Sequence, residues 1–114
     1  MNKNIYLGID IEKISRINKL IEENSLVMDR LYTKNESTLT KSQIASNFAV
    51  KEAAIKALSS FTILKFSEIE ILRMKNGKPS LKIFNKKIPK NVAFEVSISH
   101  VDDLVLAVVV VLIQ

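Results

Sequence analysis

A chain of 114 residues with 47% hydrophobic and 25% charged residues reads as one soluble globular domain, 1–114, with a modest core and too much apolar content to stay disordered. The absence of cysteine excludes disulfides and thiolate chemistry and suits a reducing, cytoplasmic location. The net charge of +5 favours acidic or phosphorylated partners, but the excess is mostly lysine, and the two Tyr and five Phe are not interleaved with it as a nucleic-acid-binding sheet would require.

Residues 4–11 alternate as a strand, with Ile5, Leu7, Ile9 and Ile11 on the expected core face and Tyr6, Gly8 and Asp10 on the other. This pattern and the charge of Asp10 do not suit a signal peptide. Gly8, lacking a side chain, is expected to clear space beside Asp10. Two roles fit that carboxylate equally: a metal or phosphate ligand at a strand end, or the N-cap of the next helix. Residues 12–24 carry Ile14, Ile17, Leu20 and Ile21 at helical spacing and leave Lys13, Arg16 and Lys19 outside. An irregular stretch anchored by Leu26, Met28, Leu31 and Tyr32 leads to Thr40.

Thr40 and Gln43 form a capping-box pattern, and no Gly or Pro interrupts the chain from there to Leu58. On this central helix Ile44, Phe48, Ile55 and Leu58 span an arc of about 80°, the expected core face. Glu52 lies about 40° beyond it and Lys56 about 40° further, flanked by Ala45, Ala49 and Ala53, which leave room for a bulky group. The plainest role for Glu52 and Lys56 is an i,i+4 surface pair contributing about 0.2–0.5 kcal/mol.

Residues 66–74 and 80–84 read as strands joined by a tight hairpin at Asn76-Gly77-Lys78-Pro79, followed by a basic loop. Residues 92–100 alternate, with Val92, Phe94, Val96, Ile98 and His100 on one face, so the only histidine ends a strand on its apolar side. A lone histidine there is ordinarily a hydrogen-bonded core residue. Residues 104–113 are too few to span a bilayer and read as a strand buried on both faces.

Three carriers of chemistry emerge: Asp10, the Glu52–Lys56 turn, and His100. Two carboxylates from different elements suit a shared divalent ion such as magnesium, and a lysine one turn away suits phosphate charge. There is no glycine-rich phosphate loop and no Cys/His cluster for zinc.

Four stretches in register over nearly the whole chain resemble the holo-[acyl-carrier-protein] synthases. They are Gly8-Ile9-Asp10-Ile11 with Ile14-Ser15-Arg16-Ile17; Phe48-Ala49-Val50-Lys51-Glu52-Ala53 with Lys56-Ala57; Glu68-Ile69-Glu70-Ile71 with Asn76-Gly77-Lys78-Pro79; and Val96-Ser97-Ile98-Ser99-His100 with Asp102. The resemblance implies an α+β 4′-phosphopantetheinyl transferase fold, an antiparallel sheet packed on a long central helix, in subunits that assemble as a homotrimer with coenzyme A between neighbours. It implies magnesium-dependent transfer of 4′-phosphopantetheine from coenzyme A to a serine of acyl carrier protein, in fatty acid biosynthesis. Carried over by position, Asp10 and Glu52 bind the ion, Glu52 assists deprotonation of the serine and Lys56 meets the departing phosphate. His100, with Lys51, Lys78 and Pro79, lies at the nucleotide, and Arg16 docks the acidic carrier. The chain departs from the family at Asn47, where an arginine is common, and at Ser59-Ser60-Phe61-Thr62, which replaces a Gly-Thr-Gly-type segment; Lys51 or Lys65 are the expected substitutes. The alternatives are a non-catalytic basic binding module and an inactive member of the family.

Overall fold

The computed structural model of the chain describes residues 4–36 and 39–114. Its elements run β1 (Ile5–Lys13), α1 (Ile14–Glu23), α2 (Leu26–Leu31), α3 (Lys41–Ala57), β2 (Ile69–Arg73), β3 (Pro79–Ile83), β4 (Val92–Val101) and β5 (Leu104–Ile113). Short 3₁₀ turns precede α3 at Lys34–Glu36 and β2 at Phe66–Glu68. The strands form two antiparallel sheets, one ordered β1-β5-β4 and the other a β2-β3 hairpin. No helix among the described residues is long and apolar enough to cross a membrane.

The long helix α3 starts as expected. Thr40 Oγ1 accepts from Gln43 N at 3.2 Å, and Gln43 Oε1 accepts from Thr40 N at 3.0 Å, so two otherwise orphaned donors are satisfied reciprocally. Its deepest face is not the expected arc. Ala45, Ala49, Ala53 and Ala57 are the buried stripe; of the expected arc Leu58 is buried, while Ile44, Phe48 and Ile55 are only half-buried. Small side chains at four-residue spacing let the helix axis approach the sheet closely. The room that the alanines leave is therefore filled by β1 and β5, on which α3 lies.

Gly8 is the counterpart of that stripe. A Cβ there would stand 1.8 Å from Ala53 O and 2.9 Å from Ala57 N. The glycine admits the backbone of α3 rather than clearing space for a ligand beside Asp10. It also reverses β1: Tyr6, Gly8, Asp10 and Glu12 face the helix, whereas Ile5, Leu7, Ile9 and Ile11 face outward, 52–62% exposed. The neighbouring strand follows the same division. Val105, Ala107, Val109 and Val111 are buried under α3, and Leu106, Val108 and Val110 lie half-buried beside the outward isoleucines. Within one chain β5 is thus fully covered on one face only, not on both.

The β4–β5 turn secures the start of α1. Asp103 accepts from Ser15 N at 2.9 Å and also from the Ser15 hydroxyl, and Ile14 N donates to Asp103 O at 2.8 Å. Asp102 takes a positive φ of 53° to make this turn. Asp10 therefore has no capping role: α1 begins after Lys13, and its cap comes from across the sheet. The β2–β3 connection is longer than a two-residue Asn-Gly hairpin. Arg73 pairs with Pro79, and the five residues between them turn at Gly77, whose φ is +85°.

Candidate active site

Asp10 sits on the inward face of β1, opposite Ala107 of β5, with its carboxylate 12% exposed. Lys56, from the last turn of α3, donates to Ile9 O at 3.0 Å and to Asp10 Oδ1 at 3.3 Å. The expected Glu52–Lys56 surface pair is not made, because Lys56 reaches across to the strand instead. A cavity of about 310 Å³ opens here between Ile9, Asp10, Ile11, Lys56 and Leu106.

The electrostatics of Asp10 are unbalanced. Burial, then the charge of Glu12, raise its pKa from 3.8 to about 6; Lys56 opposes the shift, and Glu52 adds a further small push upward. Its second oxygen, Oδ2, is buried and has no hydrogen-bond partner. A buried, unpartnered carboxylate oxygen is costly, and such groups in native proteins ordinarily meet an ion, a water or a ligand. Glu52 is half-buried at the rim of a second hollow of about 360 Å³, lined by Leu20, Val27, Phe48 and Phe66, and makes no hydrogen bond or ion pair among the described residues.

These features fit a hard divalent cation. Two carboxylates that repel one another, one with a free buried oxygen, are the oxygen donors magnesium takes, with water and substrate phosphate completing its shell. No group of three or more His, Asp or Glu side chains stands together among the described residues, so an all-protein cage of the calcium or zinc type is not built.

The other predicted site residues divide sharply. His100 is exposed at the end of β4, with Nε2 3.4 Å from Ser46 Oγ on α3, so it is not a core histidine. Arg16 is exposed on α1 and pairs with Glu12 at the end of β1, its Nη2 lying 3.3 Å from Glu12 Oε2. Lys78 donates to Glu95 Oε2 at 2.9 Å, and Pro79 opens β3 beside it.

Lys51 requires correction. It is 0% exposed, and its ammonium donates to Glu36 Oε1 and Leu31 O, both at 2.6 Å. Burial lowers its pKa, against the pull of Glu36. A phosphate cannot reach it, and its role is to pin the segment before α3 to that helix.

Glu36 was not visible as a functional or structural carboxylate. It also accepts from Asn47 Nδ2 at 2.9 Å, and Asn47 Oδ1 in turn accepts from Arg73 Nη2 at 2.9 Å. No periodicity joins residues 36, 47, 51 and 73; only the tertiary fold does. A further hollow of about 740 Å³ between β3 and β4 is lined by neither Asp10 nor Glu52 and by no acidic side chain.

Residues 6–109 match the model of the 4′-phosphopantetheinyl transferase superfamily. The holo-[acyl-carrier-protein] synthase of Clostridium tetani is 37% identical over 113 residues, 89% of this chain and 90% of that protein. That of Alkaliphilus oremlandii is 39% identical over 106 residues, 82% of this chain and 87% of its own length. Among solved structures, the Helicobacter pylori synthase in complex with coenzyme A superposes with a TM-score of 0.81 at 34% identity, covering 92% of this chain and 98% of that one. The Bacillus anthracis synthase, in complex with CoA (3′,5′-ADP), superposes with a TM-score of 0.80 at 30% identity over 98% of this chain and all of that one.

Proposed function

The chain belongs to the 4′-phosphopantetheinyl transferase superfamily, and from that premise we propose that it is a holo-[acyl-carrier-protein] synthase. It transfers 4′-phosphopantetheine from coenzyme A to a serine hydroxyl of apo-acyl carrier protein and releases adenosine 3′,5′-bisphosphate. The observation that carries the assignment to this site is the free, buried Asp10 Oδ2 beside the Lys56 ammonium.

Magnesium held by Asp10 and Glu52 would neutralise diphosphate charge. Glu52, with no partner of its own, takes the proton of the carrier serine as its oxygen attacks the phosphorus; the bond to the departing adenosine phosphate breaks and leaves the negative charge on that oxygen. Lys56 Nζ, anchored by Ile9 O, meets that charge and shares its remaining donors between Asp10 and the leaving group. His100 contributes a polar edge for the nucleotide. Arg16 exchanges Glu12 for a carboxylate of the acidic carrier, a contact that mainly accelerates encounter.

The outward apolar row of Ile5, Leu7, Ile9 and Ile11 supports assembly as a homotrimer, since so large an exposed strip is unusual on a monomer. A cytoplasmic location agrees with the cysteine-free composition.

Mass spectrometry of apo-acyl carrier protein incubated with the chain, coenzyme A and magnesium tests this reading. A gain of one phosphopantetheine group, lost with Glu52→Ala and on chelation of the metal, is the expected result. No mass change with the unaltered chain would assign it to an inactive branch; full loading by Glu52→Ala would remove that residue from the chemistry.

A further inference from the structure

Arg73 reaches from the end of β2 to the first half of α3, where its Nη2 donates to Asn47 Oδ1 at 2.9 Å. It forms no ion pair among the described residues. The nearest acid in this network, Glu36, is already shared between the Lys51 ammonium at 2.6 Å and the Asn47 amide at 2.9 Å. Packing against the helix removes water from the guanidinium and lowers its pKa, yet the residue stays open to solvent on its other side. An arginine desolvated against a neutral amide, with no counter-charge, leaves a net positive spot facing outward.

No acidic side chain is hydrogen-bonded to Arg73, Ser46 or His100 among the described residues. Ser46 neighbours Asn47 on α3; its hydroxyl donates to Ser42 O at 2.8 Å, so its lone pair faces His100 Nε2 at 3.4 Å. The imidazole lies at the exposed end of β4. Strands β2 and β4 thus bring a guanidinium and an imidazole to one stretch of α3. At 1.5 Å per residue, Asn47 and Lys56 lie about 14 Å apart along that helix, so this patch is separate from the one at Asp10.

We infer that Arg73, held by Asn47 one residue along α3 from the Ser46–His100 contact, is a phosphate-monoester recognition residue that distinguishes a 3′-phosphorylated adenine nucleotide from its 3′-hydroxyl counterpart. The inference rests on the transferase reading for its ligand and deepens it. Glu36 orients the Asn47 amide by accepting from its Nδ2, which leaves Oδ1 for Arg73. A guanidinium fixed in this way presents its remaining N–H donors as a planar fork suited to two phosphate oxygens. Asn47 thereby becomes an aiming device for a cation supplied from another element, where the family commonly has an arginine.

The test is calorimetric and independent of transfer activity. The full chain is titrated with adenosine 3′,5′-bisphosphate and with adenosine 5′-monophosphate. The unaltered chain should bind the bisphosphate at least tenfold more tightly, and Arg73→Gln should reduce that ratio about tenfold, with Arg73→Lys intermediate because charge remains but the fork does not. Circular dichroism on both variants confirms the fold. An unchanged ratio in Arg73→Gln, or no preference in the unaltered chain, would overturn the inference. Carrier loading by the unaltered chain separates the two readings: loading with an unchanged ratio defeats only the role of Arg73, whereas absence of loading defeats the transferase reading and leaves the nucleotide ratio to decide this one.

Discussion

Replacing Gly8 by alanine should be among the most damaging single-methyl changes available to this chain. The added Cβ would lie 1.8 Å from Ala53 O, 2.8 Å from Ala53 C and 2.9 Å from Ala57 N. Real Cβ contacts essentially never fall below 3.0 Å, so strand and helix must part by at least 3.0 minus 1.8, or 1.2 Å. All three obstructing atoms are backbone, and no rotamer change can relieve them. Overpacking usually costs about 1–3 kcal/mol, and a clash that moves a whole helix should reach about 3 kcal/mol or more. That is a large part of the ~5–15 kcal/mol by which a domain is stable, and corresponds to a fall in Tm of about 12 °C. The same displacement takes Lys56 away from Ile9 O and Asp10, now 3.0 and 3.3 Å distant, so carrier loading should fall with stability. Thermal unfolding by circular dichroism at one fixed protein concentration measures the first effect and mass-detected loading the second. A control, Gly77→Ala, adds a Cβ with nothing within 4 Å but at a φ of +85°, and should cost only about 1–2 kcal/mol. A Gly8→Ala protein within about 3 °C of the unaltered Tm and fully active would show that α3 is not seated on β1 in this way.

Lys51→Met should destabilise the fold by about 3–5 kcal/mol, read from urea unfolding, because it strands the Glu36 carboxylate in the interior; Lys51→Met combined with Glu36→Gln should recover part of the loss. Asp10→Asn should make the protein more stable above pH 6 while abolishing loading. The folded-state pKa of about 6 lies above the unfolded value of 3.8, so the native state holds the proton longer and stability falls as pH rises from about 4 to 6. Removing the charge should return on the order of 1–3 kcal/mol at pH 8 and almost nothing below pH 4, and equal gains at both pH values would refute the burial penalty. By the same linkage, magnesium should raise the Tm of the unaltered chain more at pH 8 than at pH 5 and should not do so for Asp10→Asn. Leu7→Lys, on the outward face, should leave the circular dichroism spectrum intact but reduce the proposed homotrimer to single chains of 12.9 kDa by light scattering; an unchanged mass would remove this face from the proposed interface.

Local rules were enough for the framework and failed where one element had to choose between neighbours. The capping box of Thr40 and Gln43, the span of α3, the alternation of β1 and β4 and the strand made by the apolar run of β5 follow from period and composition, and all are present. The direction in which β1 faces does not follow. Alternation separates Ile5, Leu7, Ile9 and Ile11 from Tyr6, Gly8, Asp10 and Glu12 but does not say which set meets α3. The apolar set would ordinarily be placed inside; the alanine stripe of α3 reverses this, because a close-packed helix needs glycine opposite it. The two facts were legible separately, as Gly8 and as alanines at four-residue spacing, and only their juxtaposition carried the answer. For the same reason Lys51 was expected at the nucleotide: its partner Glu36 lies 15 residues away, across a turn that has no period to read.

The inversion of β1 ties the site to the proposed subunit contact through a single strand. With its polar face toward α3, the strand carries Asp10 under the helix, where loss of water lifts its pKa and leaves Oδ2 without a partner. The same pleat turns Ile9 outward, while the Ile9 carbonyl anchors Lys56. A one-residue slip of β1 against β5 would exchange these faces, burying the isoleucines and pushing Asp10 into water, where it would titrate as an ordinary carboxylate. Folding of the isolated chain would be helped by such a slip and the chemistry lost. The steric demand at Gly8 forbids it, since every neighbouring position on the strand would drive a side chain into the backbone of Ala53. One glycine therefore sets the register that keeps an acid inside at a cost in stability, and the exposed apolar row is the other consequence of the same choice.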